Sequence, residues 1–198
     1  MLRLLVTIAF TFVLVGNARA ETLFDAARQG DIATVKALLG SGVFVDEVGR
    51  NAATPLIAAT LEGKSDVAFL LIEAGANVMA RNEGGFTALH AASYAGLIEI
   101  MQRLLENGAK LEDDKNVSGQ TPIFMAGEEG HADITEFLLL RGADASAIDR
   151  DGFSVLTQSW AKRHFPIVRL LKEHGAVCQS AKILGSEDFH QQCVQAGQ

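Results

Sequence analysis

The sequence predicts an all-α solenoid of about five stacked helix-turn-helix units with short hairpin fingers between them. Three observations predict it. A glycine followed by a small residue recurs at Gly42-Val43, Gly75-Ala76, Gly108-Ala109, Gly142-Ala143 and Gly175-Ala176, at steps of 33, 33, 34 and 33 residues. A hydroxyl residue keeps the same period at Thr54, Thr87, Thr121 and Ser154, with steps of 33, 34 and 33. A leucine pair precedes each glycine: Leu38-Leu39, Leu70-Leu71, Leu104-Leu105, Leu138-Leu139 and Leu170-Leu171. Self-similarity at this period marks a repeat array, in which no unit buries its own apolar face and the units must stack. Both series contain one longer step, so the extra residue falls in the connecting loop 110–120, where an insertion is tolerated.

Each element of a unit follows from its residues. Thr54-Pro55 and Thr121-Pro122 pair an N-cap hydroxyl with proline at the first helical position. The small pairs Ala26-Ala27, Ala58-Ala59 and Ala91-Ala92 let neighbouring first helices approach closely. Gly30, Gly63, Gly96 and Gly130 end the first helix. The second helix carries the leucine pair and stops at the glycine of the first series. About ten residues rich in Asn, Asp and Gly then lead into the next unit. The expected units are 21–50, 51–83, 84–116, 117–150 and 151–184, followed by a capping tail at 185–198. The fifth unit departs from the pattern, with Arg163 in place of the turn glycine and Trp160 where a small residue usually sits. In the tail, Ser186 is placed to cap a final short helix from Glu187 to Ala196, whose Phe189 covers the last unit.

The start of the chain reads as an export signal. Arg3 precedes an uncharged apolar run at 4–16, and Ala18-Arg19-Ala20 follows it, which predicts a signal peptide at 1–20 cut between Ala20 and Glu21. The run is shorter than the roughly 20 apolar residues a membrane-spanning helix needs, so no stable membrane insertion is expected after signal removal. Without Arg3 and Arg19, the 17 basic side chains become 15 against 24 acidic ones, a net charge of −9. Such a surface repels phosphate backbones, and nucleic acid is not an expected partner. The two cysteines, Cys178 and Cys193, both lie near the C-terminus. In an exported chain they read as a disulfide tying the tail over the end of the stack; the other reading is two free thiols.

Thr54-Pro55-Leu56, Thr87-Ala88-Leu89-His90-Ala91-Ala92 and Thr121-Pro122-Ile123 resemble the ankyrin-repeat signature, and Gly130-His131 and Gly142-Ala143-Asp144 resemble its later positions. The resemblance covers residues 21–184 and implies a protein-binding solenoid. It also implies structural hydrogen bonds for His90 and His131. In such stacks the fingers and the exposed side of the first helices form a concave binding surface. Register then implies partner-binding residues Leu61 and Glu62 in the second unit, Glu83, Phe86 and Tyr94 in the third, Gln120, Glu128 and Glu129 in the fourth, and Phe153 in the fifth. Arg50, Asn51, Ala95, Ser118, Arg150, Asp151 and Lys162 share that face. Phe86, Tyr94 and Phe153 are candidate aromatic anchors; for Phe86 and Phe153, packing between adjacent fingers is an equal alternative. The acids Glu62, Glu83, Glu128 and Glu129 are expected to make part of the groove negative. Small exported bacterial proteins of this kind imply a periplasmic or secreted location. They imply a role as adaptor or protector of a periplasmic enzyme, or alternatively as an immunity-type inhibitor of a secreted toxin or effector.

The residues do not suggest catalysis. No set of Ser, His and Asp stands off the repeat pattern to form a nucleophile site. The paired acids Asp113-Asp114, Glu128-Glu129 and Glu187-Asp188 read as solvated surface. No two of His90, His131, His164, His174 and His190 have a tight ligand spacing, and no phosphate-cradling glycine loop is found, so neither metal nor cofactor is expected.

Overall fold

Thr22, Thr54, Thr87, Thr121 and Ser154 each hold an extended backbone and each begin a helix. In the computed structural model the described residues are 21–114 and 116–196; the expected signal peptide at 1–20 lies outside them. The helices come in pairs: α1 (Leu23–Gln29) with α2 (Ile32–Gly40), α3 (Pro55–Leu61) with α4 (Ser65–Glu73), α5 (Ala88–Ala95) with α6 (Ile98–Glu106), α7 (Pro122–Glu129) with α8 (Ala132–Leu139), and α9 (Val155–Ala161) with α10 (Phe165–Glu173). Two short helices follow, α11 (Ala181–Leu184) and α12 (Glu187–Gln195). The five hydroxyl residues are the N-caps of the odd-numbered inner helices, and the Thr54, Thr22 and Ser154 side chains accept the N–H of the third helical residue.

Inner helices stack on inner helices and outer on outer along the chain, each also packing on its partner within the unit. The core is therefore a continuous seam. Leu23, Leu56, Leu89, Phe124 and Leu156 are fully buried on the inner helices, and Leu71, Leu104, Leu138 and Leu171 on the outer ones. The first leucine pair is the exception. Leu38 and Leu39 are only half-buried, since among the described residues α2 packs on α1 and on one outer helix, α4.

The fingers are turns rather than ladders: among the described residues one isolated bridge forms, Ile148 to Ser154. They are tied to one another through the backbone. Glu83 N–H donates to the Asn51 carbonyl at 2.7 Å, Val117 N–H to Gly84 at 2.9 Å and Arg150 N–H to Ser118 at 2.9 Å. Within a finger a side chain closes the turn. Asn82 Oδ1 accepts Phe86 N–H at 3.0 Å, Asn116 Oδ1 accepts Gln120 N–H at 3.1 Å, and Asp149 Oδ1 accepts Phe153 N–H at 2.9 Å. The first finger has Gly49 at the corresponding place, and it folds instead as a 3₁₀ turn over Arg50–Ala52, with Asn51 and Ala52 at positive φ. Gly49 is pressed onto the Phe24 ring; a Cβ there would lie 2.1 Å from it.

The fifth unit keeps the repeat geometry without the usual glycine. Arg163 takes the left-handed conformation, φ 67°, that Gly30, Gly63, Gly96 and Gly130 take in the other units. The substitution at the turn is absorbed by backbone strain, not by a new path. Beyond it, Ser186 Oγ accepts Phe189 N–H at 3.2 Å and starts α12 as expected. Cys178 and Cys193 are disulfide-bonded. Among the described residues no helix is long and apolar enough to cross a membrane.

Candidate partner-binding surface

The inner helices turn one face toward the core and the other toward the fingers. On that second face an apolar hollow of about 280 Å³ opens across α3, α5 and α7, lined chiefly by Ile57, Leu61, Phe86, Ala91, Tyr94 and Met125. Leu61 and Tyr94 remain 50% and 47% exposed, which is high for large apolar side chains. The stacking of units explains the hollow. Ala91 is small, so between the helices that carry Leu61 and Met125 it leaves space that a larger side chain would fill. Small-molecule pockets usually begin near 300 Å³; a shallow apolar recess just below that size suits one inserted side chain.

Three expected partner-binding residues, Leu61, Phe86 and Tyr94, thus meet at one place. Phe86 packs against its own unit and also borders the hollow. It is half-buried, its ring standing edge-on to His90 with centroids 5.6 Å apart, and it still forms a wall of the hollow. Phe153 is half-buried in the last finger and does not line the hollow. Glu83 is exposed in the second finger.

The acids expected to make part of the groove negative are partly paired. Lys162 Nζ lies 2.9 Å from Glu128 and 3.8 Å from Glu129, and Arg28 lies 3.8 Å from Glu62. Gln120 also donates to Glu128, at 3.4 Å. These acids face bases on the adjoining inner helix, so the hollow is flanked by two partly neutralised charge clusters. Such exposed pairs stabilise by about 1 kcal/mol or less, but they set the local potential. Ile57 and Met125 were not picked out by register alone. Their signal was present, since Ile57 lies four residues before Leu61 on one face of α3, and Met125 lies 34 residues after Ala91, the same step as from Thr87 to Thr121.

All five histidines are engaged by the fold. His90 is 1% exposed; its Nδ1 accepts Thr87 N–H at 3.2 Å and its Nε2–H donates to the carbonyls of Asp113 and Gln120 at 2.8 and 3.1 Å. Thr87 N–H can only donate, which fixes this tautomer. Burial holds the imidazole below its ordinary value of 6.5. Arg81 grips both Asp113 oxygens, at 2.9 and 2.7 Å, and donates to the Gly85 carbonyl at 2.8 Å, completing a brace between two fingers. His131 donates to the Tyr94 carbonyl at 2.8 Å and His164 to the Glu128 carbonyl at 3.1 Å, each covering the glycine turn of the preceding unit. His174 and His190 bond the carbonyls of Leu170 and Gln179. The His131 and His164 bonds hold the helices that carry Tyr94 and Glu128.

Comparison with known proteins fits this architecture. The family model for ankyrin repeats (3 copies) matches residues 23–115 and 110–182. The chain is 33% identical over 150 residues to the inactive serine/threonine-protein kinase TEX14 of Bos taurus, covering 73% of this chain and 10% of that protein. It is 32% identical over 155 residues to the ankyrin repeat and KH domain-containing protein mask-1 of Caenorhabditis elegans, covering 77% and 6%. It is 33% identical over 141 residues to the B-cell lymphoma 3 protein homolog of Mus musculus, covering 69% and 32%. The chain spans about a third or less of the length of these relatives, so the likeness is to their repeats. Five stacked helix pairs, cross-unit histidine braces and a family match over nearly all the described residues lead to one statement: the chain belongs to the ankyrin-repeat family, whose repeats serve as protein–protein interaction modules.

Proposed function

We propose that this chain is an exported protein-binding module that holds a periplasmic or secreted partner on its concave face, serving as an adaptor or protector of an enzyme there. The observation that carries the binding reading is the apolar hollow, with Leu61 and Tyr94 half-exposed at its rim. An apolar recess ringed by polar groups is the usual form of a binding hot spot, because a partner side chain seated there sheds water on all sides. Export is supported by Arg3, the apolar run and Ala18-Arg19-Ala20, and by a bonded cysteine pair, which persists in oxidising compartments.

The test is site-specific photocrosslinking in the native host. A crosslinking amino acid at position 94 should trap one discrete partner, and the same group at Gln102 on the outer helix α6 should not. Trapping from position 102 with none from 94 would move the binding surface to the outer helices. Intact mass of the captured chain reads the processing: it should begin at Glu21.

A further inference from the structure

The C-terminal tail is held by very few side chains. Across α11 and α12 the one buried side chain among the described residues is Cys193, which is half of the disulfide to Cys178. Phe189 is half-buried and meets Trp160 of α9 edge-on, ring centroids 3.9 Å apart. Lys172 of α10 donates to the carbonyls of Cys193 at 2.7 Å, Val194 at 3.1 Å and Ala196, groups that a helix C-terminus leaves without intrahelical partners. His190 bonds the Gln179 carbonyl at 2.7 Å. Helices of four and nine residues do not persist alone in water. The order of the tail therefore depends on its attachments, and the disulfide is the only covalent one. The two sulfurs also differ in access, since Cys193 is 1% exposed and Cys178 is half-buried.

We infer that α11 and α12 form a redox-released cap: reduction of Cys178–Cys193 by a dithiol frees the tail and uncovers the last repeat around Trp160, while the repeats stay folded. The chemistry is thiol–disulfide exchange. A thiolate of the dithiol attacks the more accessible Sγ of Cys178 and forms a mixed disulfide. The electron pair of the protein S–S bond leaves on Cys193 Sγ, which takes up a proton. The second thiol of the reductant, deprotonated, closes its own disulfide and expels Cys178 as a thiolate, which is protonated in turn. Two electrons and two protons pass to the protein, and the dithiol ends as its disulfide. The released tail loses its buried anchor, and Phe189, His190 and Lys172 are left to hold a helix that is marginal by itself. The device is separate from the concave face and does not rest on the reading of that face.

The chain carries one tryptophan, so its emission reports directly on the Trp160–Phe189 contact. Dithiothreitol is the probe, applied to the full chain under native conditions. Reduction should shift Trp160 emission to the red and speed amide exchange in 181–195 by about 100-fold, the loop-closure effect of a bridge of this span. Protection in α1–α8 should not change. The double variant Cys178→Ser with Cys193→Ser should show the same emission and exchange without reductant. Unchanged tail protection on reduction would overturn the cap, because the bridge would then be redundant. Loss of protection through all the repeats together would overturn it as well, because the bridge would then hold the whole fold.

Discussion

His90 shows how one side chain couples two units. Its ring accepts from the start of α5 and donates to two carbonyls of the following finger, so its removal takes the acceptor from the buried Thr87 N–H and a donor from each of those carbonyls. His90→Ala should lower stability by about 3 kcal/mol or more, read as a fall in the urea midpoint. The same burial gives a pH signature. The folded imidazole binds its proton less readily than the unfolded one, so unfolding takes up a proton below pH 6.5. The His90 contribution to stability is complete above 6.5 and is lost as pH falls through that value toward the folded one. Glu112, whose carboxyl is pushed up by burial, works in the opposite direction and is common to both proteins compared. Urea midpoints at pH 7.5 and 5.5 should therefore fall more for the parent chain than for His90→Gln. At the concave face, Tyr94→Ala and Leu61→Ala should each weaken partner binding by about 2 kcal/mol, mainly through faster dissociation, with circular dichroism unchanged. The type of residue at positions 90 and 94 was legible in the sequence. The carbonyls that His90 reaches were not, because they lie 23 and 30 residues away.

At the scale of the helix and the finger, the repeat tolerates exceptions where strain can be absorbed. Arg163 adopts φ 67°, a conformation that costs an L residue about 1–2 kcal/mol and glycine almost nothing. Arg163→Gly should therefore raise stability by about 1 kcal/mol, measurable as a higher melting temperature without change in the helical signal. Gly49 is the reverse case. Its backbone meets the Phe24 ring so closely that Gly49→Ala must displace the ring or the finger, at about 1–3 kcal/mol by the usual penalty for overpacking. Exchange protection in α1 should fall with it. Helix starts were legible, because a hydroxyl N-cap acts within three residues of itself. The irregular first finger was not, because it results from a missing Asx side chain and from contact with a ring 25 residues earlier.

Over the described residues, the main helix–helix packing runs within units and between neighbouring units, so stability is distributed along the stack. Leu23 and Leu89 are both fully buried, one in the first unit and one in the middle. Leu23→Ala and Leu89→Ala each remove the same atoms, at about 2–5 kcal/mol. Their reach should differ. Leu23→Ala should raise amide exchange in α1 to α4, whereas Leu89→Ala should raise it in α3 to α8, since a central unit has neighbours on both sides. Equal spread for the two variants would mean that the solenoid unfolds as one block.

The sequence by itself determined the class of fold, the repeat period and the helix starts. Each of these rests on spacing or on contacts within one turn of chain, and those are written in residue order. Only the tertiary structure decided which acids are neutralised, where the hollow opens and what holds the tail. Glu128 meets Lys162, His131 reaches Tyr94 across 37 residues, and Lys172 meets the end of α12. Such partners are chosen by how far each unit rotates on the last. That rotation arises from the packing of small and large side chains in the shared core.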